Sequence, residues 1–440
     1  MAEEALYKTN DQHPLSSLEW SVTTISPIDI AFSLPLGFAK DSDQTREIIA
    51  QIVELVPTIN AVIPKHSKQL GSFVDAEYLS LEDDVSSLAL FSWAHEVKGN
   101  KVKFHIFPNS IAIAEVILNQ LYANDAQALD DLVLDHTKTI LDEAYTEFDS
   151  ILVELEKSLT NSEAIFDRSG AKAKVYWPSR SLILNEDQTK DVKRAPIIKD
   201  WLAETLRKSD AQRIINGEIQ HSMTWIKYIV VDSPSENGSG FSEHKQLCLD
   251  TMILAQYCYT AQEKCNRQLR QAIEWAFKGE KKKLESQLQR AKRSLEKGRV
   301  VSKLHSVEVN ECLRHLNRKK RELIEDIFKC WEYERLVENG NVMLDVCKDK
   351  INEANSRQAK ISAYKTEYIL IGISLFTVLD FFFFVTQFSR EAMANPTLDH
   401  NDGGPSSFLT IIAEIPADLM FFIGIVAAGL IFITYKKVKG

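Results

Sequence analysis

An α/β domain followed by a long helical stalk and two transmembrane helices is the fold class this sequence predicts. Three observations lead there. Residues 1–240 mix β-branched, aromatic runs with helical stretches; residue 246 onward reads as helix; and two long apolar runs close the chain. The 45% hydrophobic and 26% charged fractions are ordinary for a globular protein. The order of segments therefore carries the prediction, and the average composition does not.

In the first 240 residues, Ser21–Leu34, Val85–Val97, Lys101–Phe107, Lys174–Leu184 and Met223–Val231 have strand composition. "VKGNKV" between the second and third reads as a hairpin turn. Helices are expected at 43–58, at 109–122 after Pro108 and an Asn109 cap, at 127–160 and at 192–208. This irregular alternation predicts an α/β sandwich around a mixed sheet. "SPSENGSG" (Ser233–Gly240) is a linker by composition and ends the first domain at 240.

Residues 241–341 form the helical region. One helix is expected over 246–278 ending near Gly279, a second over 280–297 ending near Gly298, and a third over 306–338 stopped by Asn339-Gly340-Asn341. From Val342 neither Gly nor Pro occurs before Gly372, so a stalk helix is expected to run into the first span, 342–388, about 70 Å at 1.5 Å per residue. Leu344, Cys347, Ile351, Ala354, Gln358 and Ile361 give its lower part a coiled-coil-like seam.

Tyr368–Phe388 is a run of 21 residues whose only charge is Asp380; Leu419–Tyr435 gives 17 without charge, after the helix-starting Pro416-Ala417-Asp418. A membrane helix needs roughly 20 apolar residues, range about 17–25, so both read as spans. Residues 389–415 form the connecting loop, and 416–440 the second span with its basic tail. Arg357, Lys360 and Lys365 precede the first span and Lys436, Lys437 and Lys439 follow the second, whereas the loop is acidic. Lys and Arg stay inside; both termini and the α/β domain are therefore expected to be cytoplasmic, in an inner (plasma) membrane. The N-terminus lacks a basic flank before an apolar core, so no cleaved leader is expected.

Charge excludes one class. Residues 1–240 hold 22 Lys/Arg against 37 Asp/Glu, a net of −15, and direct nucleic-acid binding is not expected of such a face. The six cysteines form no Cys-x-x-Cys pair and read as reduced thiols packed between helices, with no metal site assigned. No Gly-rich phosphate loop, His-Glu-x-x-His or Gly-x-Ser-x-Gly occurs, so no enzyme and no catalytic residue is expected. Asp131, Asp135, His136 and Asp142 read as a solvated helix face, with metal binding the minor alternative, His105 as packing, and the basic stretch 278–303 as a solvated surface or a contact with anionic lipid or with the acidic domain of a neighbouring subunit. "YWPSRS" (Tyr176–Ser181) reads as an edge-strand aromatic cluster; Trp177 for stacking and Arg180 for phosphate are the alternative, a nucleotide site.

Asp380 carries the functional prediction. A charge at mid-span costs about 2.5–3.5 kcal/mol on insertion scales, and such acids face a bundle interior, water or a basic partner. Neither span holds a base. At 100° per residue, Ile369, Ile373 and Gln387 lie within about 20° of Asp380, Phe384 about 40° and Thr377 about 60° away. Those six residues would line a shared axis in an oligomer, a carboxylate ring flanked by apolar rings that selects cations. Hydrogen bonding to the second span, snorkelling and proton carrying are the alternatives. Gly424 and Ala428 on the second span are a small-xxx-small pair suited to close helix contact, with plain lipid-facing packing the equal alternative.

Taken in order, the α/β domain, helices, long helix entering the membrane, short outside loop, second span and lysine tail resemble the CorA-like metal-ion transporters. The resemblance covers residues 246–440 and lacks the family's Gly-Met-Asn signature, for which the chain reads Gln387-Phe388-Ser389-Arg390. It implies a homopentamer, a pore lined by the first span, gating by the cytoplasmic domain, an ion, with divalent cations among the candidates, as cargo, and a basic collar at Lys436, Lys437 and Lys439. The enlarged N-terminal domain and missing signature are similar to CorA-like proteins that accompany type III CRISPR systems, which implies an antiviral membrane effector opened by a small nucleotide. A membrane-anchored coiled-coil scaffold without conduction is the rival expectation.

Overall fold

The structure, a computed structural model, describes residues 17–34, 43–61, 89–159, 165–166, 177–233, 243–282, 285–394 and 407–439. The expected linker after Ser233, the tip of the connecting loop and the first residues of two expected strands (85–88 and 174–176) lie outside them. Two compact units divide the chain, Met1–Lys348 and Asp349–Gly440.

Eight strands make one sheet in the first unit: β1 (Leu18–Ser33), β2 (Ile59–Ala61), β3 (Phe91–Val97), β4 (Asn100–Phe107), β5 (Asn109–Ala123), β6 (Ser179–Asn185), β7 (His221–Ser222) and β8 (Lys227–Asp232). Their order is β2-β3-β4-β5-β1-β6-β8-β7, antiparallel except for the parallel pair β6 and β8. A parallel pair needs a crossover, and three short helices supply it: α3 (Glu186–Lys190), α4 (Ala195–Leu202) and α5 (Asp210–Ile215). Two longer ones stand earlier, α1 (Asp43–Leu55) and α2 (Ala126–Ser158). The β3–β4 hairpin turns at Lys98 and Gly99, both at positive φ (50° and 78°), as a two-residue turn requires.

Both faces of the sheet are buried. Trp20, Val22, Ile28 and Phe32 of β1 enter a core with Leu129, Leu141 and Phe148 of α2 and Trp201 of α4. Ile25, Ile113, Ile183 and Tyr228 enter a second core on the opposite face. Helices α6 (Glu243–Lys282), α7 (Glu285–His315) and α8 (Arg318–Cys330) follow the sheet. Met252, Ile253 and Tyr257 of α6 and Ile324 and Ile327 of α8 close that second core. The mixed-sheet sandwich expected from the sequence is thus observed.

Several element expectations are corrected. Residues 109–122 are not a helix but β5, because this strand is buried on both sides. Ile111 and Ile113 face one core and Ala112, Ala114, Val116 and Leu118 the other, which removes the polar alternation that marks a strand. The 192–208 helix is the shorter α4, with α5 beyond it. Trp177 and Pro178 lead into β6, which contains Ser179–Ser181 and is an interior strand between β1 and β8 rather than an edge.

The glycines of the helical region do not end helices. α6 runs past Gly279 to Lys282, and α7 passes through Gly298. The expected third helix is broken at Asn317, which caps α8 with its side chain on the Lys320 amide at 2.8 Å, and at Glu332, whose φ is 50°. The long helix α9 (Tyr333–Ala394) starts before Asn339-Gly340-Asn341 and runs through it. A Cβ at Gly340 would lie 2.5 Å from Asn266 Oδ1 and 2.9 Å from Gln262 Nε2. Those two amides are fully buried on α6; Gln262 donates to Asn266 at 3.1 Å, and Asn266 donates to the Leu336 carbonyl at 2.9 Å. Gly340 is there for close approach to that pair. Gly340→Ala is expected to lower stability by ~1 kcal/mol, an overpacking cost of ~1–3 less a helix-propensity gain of ~1. Gly298→Ala, whose Cβ meets only the tip of Leu269 at 3.0 Å, is expected to be near neutral. Paired thermal melts check both.

In the second unit the remainder of α9 is followed by α10 (Ser407–Glu414) and α11 (Ala417–Lys439). The connecting segment expected at 389–415 is therefore partly helical at both ends. Its bend before α11 comes at Ile415-Pro416, where the proline carbonyl accepts from the Leu419 and Met420 amides.

Candidate functional site

Among the described residues, two helices are long and apolar enough to cross a membrane, within α9 and within α11. Of the most apolar 18-residue window of α9 only 6% is buried. A core helix of a water-soluble domain would bury most of such a window. Phe376, Phe381, Phe384 and Phe388 are instead each more than half exposed.

The two apolar helices touch through a defined stripe. On α9 Leu379, Phe382 and Phe383 meet Met420 and Phe421 of α11. Phe383 and Phe421 rings stand 6.0 Å apart. A Cβ at Gly424 would lie 2.9 Å from Leu379 Cδ2 and 3.6 Å from Phe382, so the missing side chain lets the helices close, as the small-residue spacing suggested. Arg390 Nη2 donates to the Ile415 carbonyl at 3.1 Å and fastens the same end of the pair.

Asp380 is exposed and stands off that stripe. At 100° per residue it lies about 110° around α9 from the middle of Leu379, Phe382 and Phe383. The six residues expected to share a face are all largely open: Ile369 (63%), Ile373, Thr377, Asp380, Phe384 and Gln387. Thr377 returns its hydroxyl to the Ile373 carbonyl at 2.9 Å, the usual way to satisfy a hydroxyl in an apolar helix. Gln387 donates to Glu391 at 2.9 Å, and the Phe384 and Phe388 rings stack at 6.3 Å. Lys436, Lys437 and Lys439 occupy the final turns of α11. The contact stripe Leu379–Phe382–Phe383 was not foreseen; its signal was Gly424, whose small size demands a large partner opposite.

In the first unit Trp177 and Arg180 are drawn apart in role. Trp177 stacks on Trp225 at 5.8 Å, and Trp225 packs on Tyr259 at 4.6 Å and Trp331 at 4.9 Å. Arg180 is buried with its Nε 2.8 Å from Asp130 Oδ1 of α2. Burial pushes its guanidinium pKa down, and Asp130 pushes it back up. Asp131, Asp135, His136 and Asp142 lie on the outer side of α2, and His105 is buried 3.6 Å from Glu115. Sequence reading missed one cluster altogether, His221 with His244 and Cys248; its signal was the four-residue step from His244 to Cys248 at a helix start.

No family model, no curated protein and no solved structure matches the chain.

Proposed function

We propose that the chain is a CorA-like ion channel or transporter of the inner membrane, with both termini cytoplasmic. Copies assemble, as a pentamer by that resemblance, with the Asp380 face of the first span turned to a common wet axis. The observation that carries this reading is a carboxylate exposed in an apolar span and turned away from the second span. A bare charge against lipid costs several kcal/mol. A ring of such groups around water removes that cost and attracts cations. Ile369, Ile373, Thr377, Phe384 and Gln387 complete the lining, Lys436, Lys437 and Lys439 form the inner collar, and the first unit acts as the gate. A small nucleotide is the activator to test, with the aromatic cluster at Trp177 as its candidate seat; opening the membrane on that signal is the antiviral role.

Ion flux from liposomes carrying purified full-length protein tests this. Asp380→Asn is expected to reduce cation flux at least about tenfold, about 1.4 kcal/mol at the constriction, and to weaken cation over anion preference. Candidate nucleotides are added in parallel. Equal, negligible leak in every condition leaves the membrane-anchored scaffold, for which Asp380→Leu keeps function and raises stability.

A further inference from the structure

His221, His244 and Cys248 meet where the outermost strand approaches the helix after the sheet. His221 belongs to β7. His244 and Cys248 stand one turn apart near the start of α6, so helical geometry puts both on one face. His221 Nδ1 lies 3.3 Å from His244 Nε2, and Cys248 Sγ lies 3.7 Å from that same nitrogen. All three donor atoms fall within 4.8 Å of one another.

Those separations match the edges of a coordination tetrahedron. Zinc binds imidazole nitrogen at about 2.0–2.1 Å and thiolate at about 2.3 Å, which sets two nitrogens about 3.4 Å apart and nitrogen and sulfur about 3.6 Å apart. Two edges are already at those lengths, and the third closes with a side-chain shift of about 1 Å. Hydrogen bonds from the His221 Nδ1–H and the Cys248 thiol to His244 Nε2 are the metal-free account of the same two contacts, and the titration below separates the two.

The surroundings suit a ligand set. His244 also hydrogen-bonds the Gln220 backbone, the kind of outer contact that orients a metal-binding imidazole. Asp210 and Asp326 face the cluster along with Arg207 and Lys319, so the surrounding charge is close to balanced. Two imidazoles and a thiolate select zinc-type ions over magnesium or calcium, which prefer oxygen.

We propose that His221, His244 and Cys248 hold one zinc-type divalent ion, with water in the fourth position, pinning β7 to the first turns of α6. Binding replaces the Cys248 proton with the metal and releases it to solvent. The site is independent of the pore: its donors are nitrogen and sulfur, and none lies in a span.

Full-length protein in detergent, stripped with chelator, is titrated with Zn²⁺ and separately with Co²⁺. One high-affinity equivalent per chain is expected, with a thiolate-to-cobalt charge-transfer band and a zinc-dependent rise in melting temperature. Cys248→Ser abolishes the band; His244→Ala and His221→Ala each weaken zinc binding at least about 100-fold, exceeding the loss typical of an outer-shell contact. If a variant fails to fold, the wild-type cobalt band still decides whether a thiolate ligates. A wild-type chain that binds no zinc, lacks that band, or keeps its full equivalent in folded His244→Ala overturns the assignment.

Discussion

Asp130→Ala is expected to destabilise the N-terminal unit by about 3–5 kcal/mol, the range for stripping a buried charge of its partner. Arg180 and Lys227 are register partners on the parallel strands β6 and β8, so two cations stand side by side. Asp130 comes down from α2 between them, with Oδ1 2.8 Å from Arg180 Nε and Oδ2 3.0 Å from Lys227 Nζ. The three side chains are only 9%, 13% and 10% exposed for Arg180, Lys227 and Asp130, so water screens them little. Lys227 also lies 5.3 Å from the centre of the Trp201 ring, a contact too weak to replace the lost anion. Replacing all three polar residues by apolar ones of similar volume is expected to recover most of the loss. Denaturant unfolding of the full chain, followed by tryptophan emission, measures both, since all 7 tryptophans precede Asp349. A loss below about 1 kcal/mol would mean that the triad behaves as a surface pair.

The second large effect is on acid stability. His305 of α7 is fully buried, its Nε2 3.0 Å from the Cys258 carbonyl of α6, with the Tyr257 ring edge-on at 5.8 Å. Burial pushes its pKa down to about 4 from an ordinary 6.5. The unfolded chain therefore takes up a proton there at higher pH than the folded one. The contribution of His305 is full above pH 6.5, falls as pH drops from 6.5 towards 4, and levels off below that, for a total of ~3 kcal/mol and ~2 kcal/mol by pH 5. His305→Gln is expected to lose stability at neutral pH and to flatten that part of the profile. Urea midpoints at pH 7 and pH 5 for both proteins give the difference; the same slope in each would assign the acid sensitivity elsewhere.

What was legible followed from patterns that a single physical cause produces. An apolar stretch as long as Tyr368–Phe388 exceeds what a soluble core needs and matches the thickness of lipid, and the helix is there. β1, rich in β-branched residues from Val22 to Ile30, announced itself, and so did the Lys98-Gly99 turn. Failures came where two causes give one pattern. An apolar run such as Ile111–Leu118 serves a strand buried on both sides as well as a helix. Glycine at 298 and 340 marks either a helix end or a close approach, and only the facing side chain distinguishes them. Contacts across distant sequence left no local trace: nothing near Arg180 names Asp130, and nothing near Cys248 names His221. Asp380 was visible because a charge among phenylalanines is anomalous in itself.

The strand order fixes a timetable for synthesis. β1 pairs with β5 and β6, and β6 with β8, so the sheet cannot close before Asp232 has been added to the chain. Roughly 136 residues separate that point from Tyr368, about 7–27 s of elongation at 5–20 residues per second. Every strand is therefore available for pairing before Tyr368 is made, so the apolar run emerges behind a sheet that has had time to form.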